Sequence, residues 1–218
     1  MLFHNRNEAA DKLAARLAGH AGQHPLILAI PRGAVPMARR IADALQGELD
    51  VVLVRKLGAP GNPEFAIGSI DESGWTYVAD YAESAGGTPA YLEQEKQTQL
   101  ATIRKRRAQY TPIRPPIDPA GRIVIVVDDG LATGATMIAA LHAVRAKRPE
   151  RLVCAVPVAA PESLEKVRSH ADEMVCLEAP AEFDAVSRYY REFPQVTDDE
   201  VTAILRSMGI ARRRLETP

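Results

Sequence analysis

Ile123-Val124-Ile125-Val126-Val127-Asp128-Asp129-Gly130-Leu131-Ala132-Thr133-Gly134-Ala135-Thr136 is the stretch on which the fold turns. Five β-branched apolar residues in a row, with no polar alternation, describe a strand buried on both faces, as in a parallel sheet covered by helices. The run stops at two adjacent acids. A turn of small residues and threonines follows and opens a helix with Met137, Ala140, Leu141 and Val144 on its inner side. Open parallel sheets bind ligands beyond the carboxyl ends of their strands. Small residues let backbone N–H groups converge on an anion, threonine hydroxyls add donors, and the helix N-terminus supplies partial positive charge. A phosphate suits that turn. The acids repel a phosphate but accept hydrogen bonds, so they suit the hydroxyls of an attached sugar. The local chemistry points to a ribose phosphate. Helix-terminal acids beside a simple glycine turn are the competing explanation. It accounts less well for two acids closing so apolar a strand. No Gly-Lys-Ser/Thr follows at Walker-loop spacing.

Working outward, an upstream helix over 6–18 places Ala10, Leu13, Ala14 and Leu17 on one face, with Asn7 as its cap. A buried strand over 26–30 ends in Pro31-Arg32-Gly33, and the next helix turns Val35, Ala38, Ile41, Ala42 and Leu45 inward. A second strand over 50–54 runs into Arg55-Lys56. After a Gly/Pro-rich stretch at 58–63, the runs 67–70 and 75–79 flank Asp71-Glu72-Ser73-Gly74 and predict a hairpin, with Trp75 as a packing residue. Thr88-Pro89 caps and opens a largely polar helix that reaches about Tyr110 and ends in the basic run 104–107. Prolines 112, 115, 116 and 119 form a connector.

Downstream come a strand over 152–158, a helix over 161–170, a strand over 174–177, and an aromatic cluster of Phe183, Tyr189, Tyr190 and Phe193. Thr197 and Glu200 fit a capping box for the last helix. The predicted fold is α/β: a doubly wound, mostly parallel five-stranded sheet in a single domain over 1–218. Residues 57–120 form a lid, hairpin and helix insertion, and 179–218 a C-terminal hood and helix.

Composition narrows the function classes. Lys plus Arg total 27 and Asp plus Glu 28 in 218 residues, so the net charge of −1 gives no global attraction to nucleic acid or membrane. No run of about 18 uncharged apolar residues is present. The first residues lack a signal-peptide pattern. Cys154 and Cys176 sit in apolar runs, as reduced core thiols of a cytoplasmic protein would. The five histidines have no metal spacing, and there is no Gly-x-Ser-x-Gly. The basic runs 104–107 and 212–214 could touch RNA, but binding-module signatures are missing and nucleic acid is not an expected partner. Subunit contact, or a lid flank beside pyrophosphate, is the other use for 104–107, and a homo-oligomer stays open.

Residues 126–136 resemble the 5-phosphoribosyl-1-pyrophosphate (PRPP) motif of type I phosphoribosyltransferases: apolar strand, two acids, three small or variable residues, then Thr-Gly-x-Thr. The resemblance implies that Asp128 and Asp129 hold the ribose hydroxyls. It implies that Ala132, Thr133, Gly134, Ala135 and Thr136 bind the 5′-phosphate. Ala29-Ile30-Pro31-Arg32-Gly33-Ala34 lies where the family has its pyrophosphate loop, and Val54-Arg55-Lys56 resembles its basic pair. Arg32, Gly33 and Arg55 would then bind pyrophosphate, and Lys56 would act with the two acids in catalysis. Residues 54–58, 64–68, Phe183 and 190–193 look like a bacterial group of predicted phosphoribosyltransferases without an assigned acceptor. The implied reaction is Mg²⁺-dependent transfer of phosphoribose from PRPP to a nitrogen acceptor, a nucleobase, with release of pyrophosphate. Few direct protein ligands to Mg²⁺ are expected. The segment 57–87 would exclude water as a lid. Phe183, Tyr189 and Tyr190 would stack on the base, with Asp184 or Arg188 reading its edges. No catalytic base stands out, Glu64 being an outside candidate. A PRPP- or nucleotide-binding regulator on the same fold is the alternative, and hydrolysis with water as acceptor is a third possibility.

Overall fold

The computed structural model describes residues 2–215, with side chains described through 208. In chain order the elements are α1 (Arg6–Arg16), β1 (Leu26–Ala29), α2 (Ala34–Leu45), β2 (Glu48–Val51), β3 (Val54–Ala59), β4 (Asn62–Asp71), β5 (Thr76–Val78) and α3 (Pro89–Tyr110). They continue with β6 (Ile123–Val127), α4 (Ala135–Arg145), β7 (Arg151–Val158), α5 (Pro161–Arg168), β8 (Glu173–Glu178) and α6 (Asp198–Leu215). Five strands form one parallel sheet in the order β2-β1-β6-β7-β8. This is the predicted α/β fold.

Strand periodicity sorts the apolar runs into two cores. Ile27, Ala29, Ile125, Val127 and Val153 pack with residues of α1 and α2 on one face. Leu26, Leu28, Val124, Val126 and Cys154 pack with α4 and α5 on the other. At about 1.5–3 kcal/mol for each fully buried branched side chain, these two layers fix the strand ends from which the functional turns leave. The chain passes from β1 to β2 on one side and later enters β6 on the other. The order therefore reverses between β1 and β6, where such sheets hold their ligands.

The apolar run 50–54 does not form one strand. β2 ends at Val51, and Val54 starts β3 of a separate antiparallel sheet, β3-β4-β5. Arg55 and Lys56 therefore lie inside a strand of the second sheet, not at the end of a parallel one. The Gly/Pro-rich stretch folds as the tight β3–β4 hairpin, with Ala59 opposite Asn62 and Gly61 at φ +75°. The expected β4–β5 hairpin is present. Asp71 Oδ1 accepts bonds from the Ser73 N–H and hydroxyl and from the Trp75 N–H across its turn.

Three helix starts are legible as caps, with one displacement. Asn5, not Asn7, caps α1, its side chain accepting from the N–H groups of Asn7 and Glu8. Thr88 accepts from Tyr91 N–H at the start of α3. Thr197 and Glu200 exchange the reciprocal bonds of a capping box. Among the described residues, no helix is long and apolar enough to cross a membrane. The side chains of 212–214 lie outside those described.

Candidate active site

Because Ala29 of β1 pairs with Val127 of β6, the turns after both strands emerge side by side. The approach is tight enough to need a glycine. A methyl group built on Gly33 would sit 2.1 Å from Asp129 Oδ2 and 3.1 Å from its Cγ. Gly33→Ala is thus expected to displace the Asp129 carboxylate and to lower stability by about 1–3 kcal/mol. A thermal melt checks this; an unchanged Tm would mean that the Asp129 side chain moves aside freely. The Pro31–Arg32 peptide in the first turn is cis.

The twin acids follow directly on β6 and are half-buried. Asp128 Oδ1 accepts the Asp129 N–H at 2.9 Å. Burial pushes the Asp128 carboxyl well above the usual range, and the neighbouring Asp129 charge adds to this. Burial raises Asp129 too, but Arg6 pulls it back. Arg6 reaches Asp129 Oδ2 with Nε at 3.0 Å and Nη2 at 2.9 Å, donates from Nη1 to Pro194 O at 2.6 Å, and lies 3.7 Å from the Phe193 ring centre. The Tyr190 hydroxyl donates to the Asp129 carbonyl at 2.7 Å. One acid is thus clamped through both side chain and backbone, and the other faces burial without a cation of its own.

The following turn is pinned from outside. Leu131 N–H donates to Val158 O, and the Ser163 hydroxyl donates to Ala132 O. Gly134 has φ +77°, which favours glycine, and a Cβ there would also press on Val167 at 3.0 Å. α4 starts at Ala135, so its first N–H groups lack helical partners and belong to the same turn as Ala132, Thr133 and Thr136. The Ser69 hydroxyl of β4 donates to Ala135 O at 2.6 Å and ties the second sheet to this corner.

The cations divide between two sides of β3. Adjacent strand residues face opposite ways, and directly paired residues share a face. Lys56 pairs with Ser69, so it lies on the side facing the start of α4, where its Nζ meets the exposed Glu64 at 2.7 Å. Arg55 lies on the α3 side and donates to Gln99. Burial lowers the Arg55 pKa, and the charges of Arg106 and Arg32 lower it further. Asp198 of α6 gathers the same group, with Arg32 Nη1 at 3.4 Å, Arg106 Nε at 3.9 Å and the Tyr110 hydroxyl at 2.9 Å. Burial and Asp198 push the Tyr110 phenol up to about 12. Of the basic run, Arg104 and Lys105 are exposed, whereas Arg106 and Arg107 turn inward.

Among the tail aromatics, Phe183 and Tyr189 are half-buried and stack on each other, with ring centres 5.4 Å apart. Tyr190 departs from the expected stacking role. It is 5 % exposed, with Phe3 at 5.5 Å and Phe193 at 4.8 Å against its ring. Asp184 and Arg188 pair with each other at 2.7 Å. Sequence reading did not single out Arg6, Asp198 or Tyr110. Their partners lie 123, 166 and 88 residues away, respectively, and no local pattern marks such pairs.

Among the described residues, no group of three or more His, Cys, Asp or Glu side chains converges as a metal cage. Asp128 is a carboxyl group that a cation would suit, since a neighbouring positive charge would offset the burial and the Asp129 charge that together hold its pKa up.

Residues 2–191 match the phosphoribosyl transferase domain, and the chain belongs to that family. Two proteins of Mycobacterium tuberculosis, MT0597 of strain CDC 1551 and Rv0571c of strain H37Rv, are each 42% identical over 207 residues and are provisionally named phosphoribosyl transferases. The alignment covers 94% of this chain and 46% of each relative, so the chain spans about half the length of the curated relatives it matches. The crystal structure of TT1426 from Thermus thermophilus superimposes with a TM-score of 0.79 at 47% identity, covering 95% of this chain and 99% of that one.

Proposed function

We propose that the protein transfers phosphoribose from PRPP to a nitrogen acceptor, a nucleobase, and releases pyrophosphate. The observation that carries this reading is the meeting of two turns at the sheet's switch point, with Gly33 against Asp129. The work of such a site is to neutralise the leaving group, hold the sugar and exclude water. Arg32, Arg55 and Arg106 supply fixed positive charge for pyrophosphate. Asp128 and Asp129 accept hydrogen bonds from the ribose hydroxyls, and residues 132–136 hold the 5′-phosphate. Lys56, on the α4 side of β3, serves the phosphate end of the sugar. Asp128 is the residue that would hold Mg²⁺, and the ion would supply charge to offset the build-up on pyrophosphate. The β3–β4 hairpin covers the site as a lid, and Phe183 with Tyr189 stacks on the base. A cytoplasmic setting accords with two free cysteines, Cys154 buried with its thiol pushed up by burial.

Incubation with PRPP, Mg²⁺ and a panel of purine and pyrimidine bases should release pyrophosphate with at least one of them. PRPP binding without turnover on any base would replace the transferase by a PRPP-sensing regulator. Release of ribose 5-phosphate without a base would mean hydrolysis.

A further inference from the structure

A cavity of about 630 Å³ lies between the end of β2, the β4–β5 turn, the last turn of α3, the proline connector and the C-terminal half of α4. None of residues 31–33, 55–56 or 128–136 lines it. Val52, Leu53, Ile117, Pro119 and Val144 make apolar walls. Four side chains of the lining nevertheless carry a buried polar atom without a hydrogen-bond partner: Asp71 Oδ2, Arg107 Nη1, Thr111 Oγ1 and His142 Nδ1. Orphans of this kind are rare in folded proteins, and four around one cavity call for a common partner.

Three of the four groups are otherwise firmly held. Asp71 spends its other oxygen on the β4–β5 turn. Arg107 gives Nε and Nη2 to Glu72 at 2.7 and 2.8 Å. The His142 ring stacks on Trp75 with centres 3.6 Å apart, and its Nδ1 faces Asp71 Oδ2 at 3.5 Å without forming a hydrogen bond. Each is fixed in place and left one bond short. That is the condition of a built site rather than of a loose surface.

The chemistry of the orphans defines what fits. Arg107 Nη1 and Thr111 Oγ1 offer donors, and Asp71 Oδ2 requires one. The Arg107 charge is already met by Glu72, and Asp50 accepts the N–H groups of Val51 and Ile117. The bonds these two groups make leave Arg107 Nη1, Thr111 Oγ1 and Asp71 Oδ2 as the polar atoms that a ligand can meet. The walls ask for an apolar body, and the volume lies in the range of small-molecule pockets. We propose that this cavity binds a small neutral heterocycle carrying a lactam edge, an adjacent carbonyl acceptor and N–H donor on an otherwise apolar frame. This site is separate from the sugar-phosphate site, and the proposal does not rest on the transferase reading.

Quinolin-2(1H)-one presents that edge, and 2-methoxyquinoline keeps the frame without the N–H donor. Isothermal titration of the full chain should give saturable binding of the lactam, with the ether at least about tenfold weaker. In ¹H–¹⁵N spectra of the imidazoles, the lactam should shift His142 ahead of the other histidines. Thr111→Val, which removes one donor at constant shape, and Ala143→Leu, which fills the half-buried wall beside His142, should each weaken binding by about fivefold or more. Asp128→Asn should leave it unchanged. Absence of saturable binding overturns the proposal, as does equal binding of lactam and ether. Lactam binding that Asp128→Asn removes, or that both cavity variants retain, overturns it as well.

Discussion

On the proposed transferase reading, Asp128→Asn is expected to lower kcat/KM for PRPP by about 10- to 100-fold, the worth of a charge-assisted hydrogen bond, while raising Tm at neutral pH. The two effects share a cause. Burial and the Asp129 charge hold the Asp128 carboxyl above its ordinary range. As pH climbs past that range, the folded chain keeps a proton that the unfolded chain has lost, so stability falls until the folded group ionises. Asparagine removes that cost while keeping the shape. The gain in Tm should therefore be largest above neutrality, on the order of 2–4 °C for each kcal/mol recovered, and should vanish below about pH 3, where the unfolded carboxyl is also protonated. Adding Asp129→Asn should bring the activity loss to about 10³-fold but return no further stability, because Arg6 then loses its partner. Paired melts and kinetics at pH 5 and 8 test both halves. A double variant that binds PRPP normally would move the sugar site elsewhere.

Arg6→Leu is expected to be the more damaging change to the fold. The Arg6–Asp129 pair is largely enclosed, at 11% and 18% side-chain exposure, and stranding one member of such a pair costs about 3–5 kcal/mol. The variant also loses the bond to Pro194 and the contact with Phe193. For a chain of this size the fall in Tm is about 6–20 °C. The sign of the pH dependence follows from Asp129. Without Arg6 its carboxyl rises further, so the loss grows as pH increases and shrinks under acid conditions, where Asp129 is neutral. On the proposed transferase reading, PRPP affinity should fall as well, since Arg6 no longer aims the Asp129 carboxylate. A loss below about 1 kcal/mol that does not vary with pH would mean that water replaces the guanidinium freely.

Much of this architecture was readable from local pattern. The runs 26–30, 123–127 and 152–158 lack polar alternation because helices cover both their faces, and this alone marks a parallel sheet. The acid pair and the Thr-Gly-Ala-Thr turn stand out because each residue type answers a need of the backbone or of an anion. What escaped notice was non-local. Residues 51–54 are uniformly apolar, so nothing in them signals that β2 ends and a different sheet begins. Two asparagines flank the start of the first helix, and only backbone geometry makes Asn5 the cap and puts Asn7 inside. Tyr190 belongs to a cluster that reads equally well as an open aromatic face or a buried one, and its contact with Phe3 spans nearly the whole chain. The pairings of Arg6 and Asp198 arise only when remote segments meet.

The split of Arg55 and Lys56 across β3 makes the order of two neighbouring letters meaningful. Exchanging them would leave charge, composition and isoelectric point untouched. Yet it would deliver the forked guanidinium to the corner at Ala135 and the compact ammonium to the group around Arg32. A one-residue slip of the hairpin would make the same trade. The pleat of a short ribbon thus acts as a sorting device, with chirality and spacing deciding which cation reaches which end of a ligand.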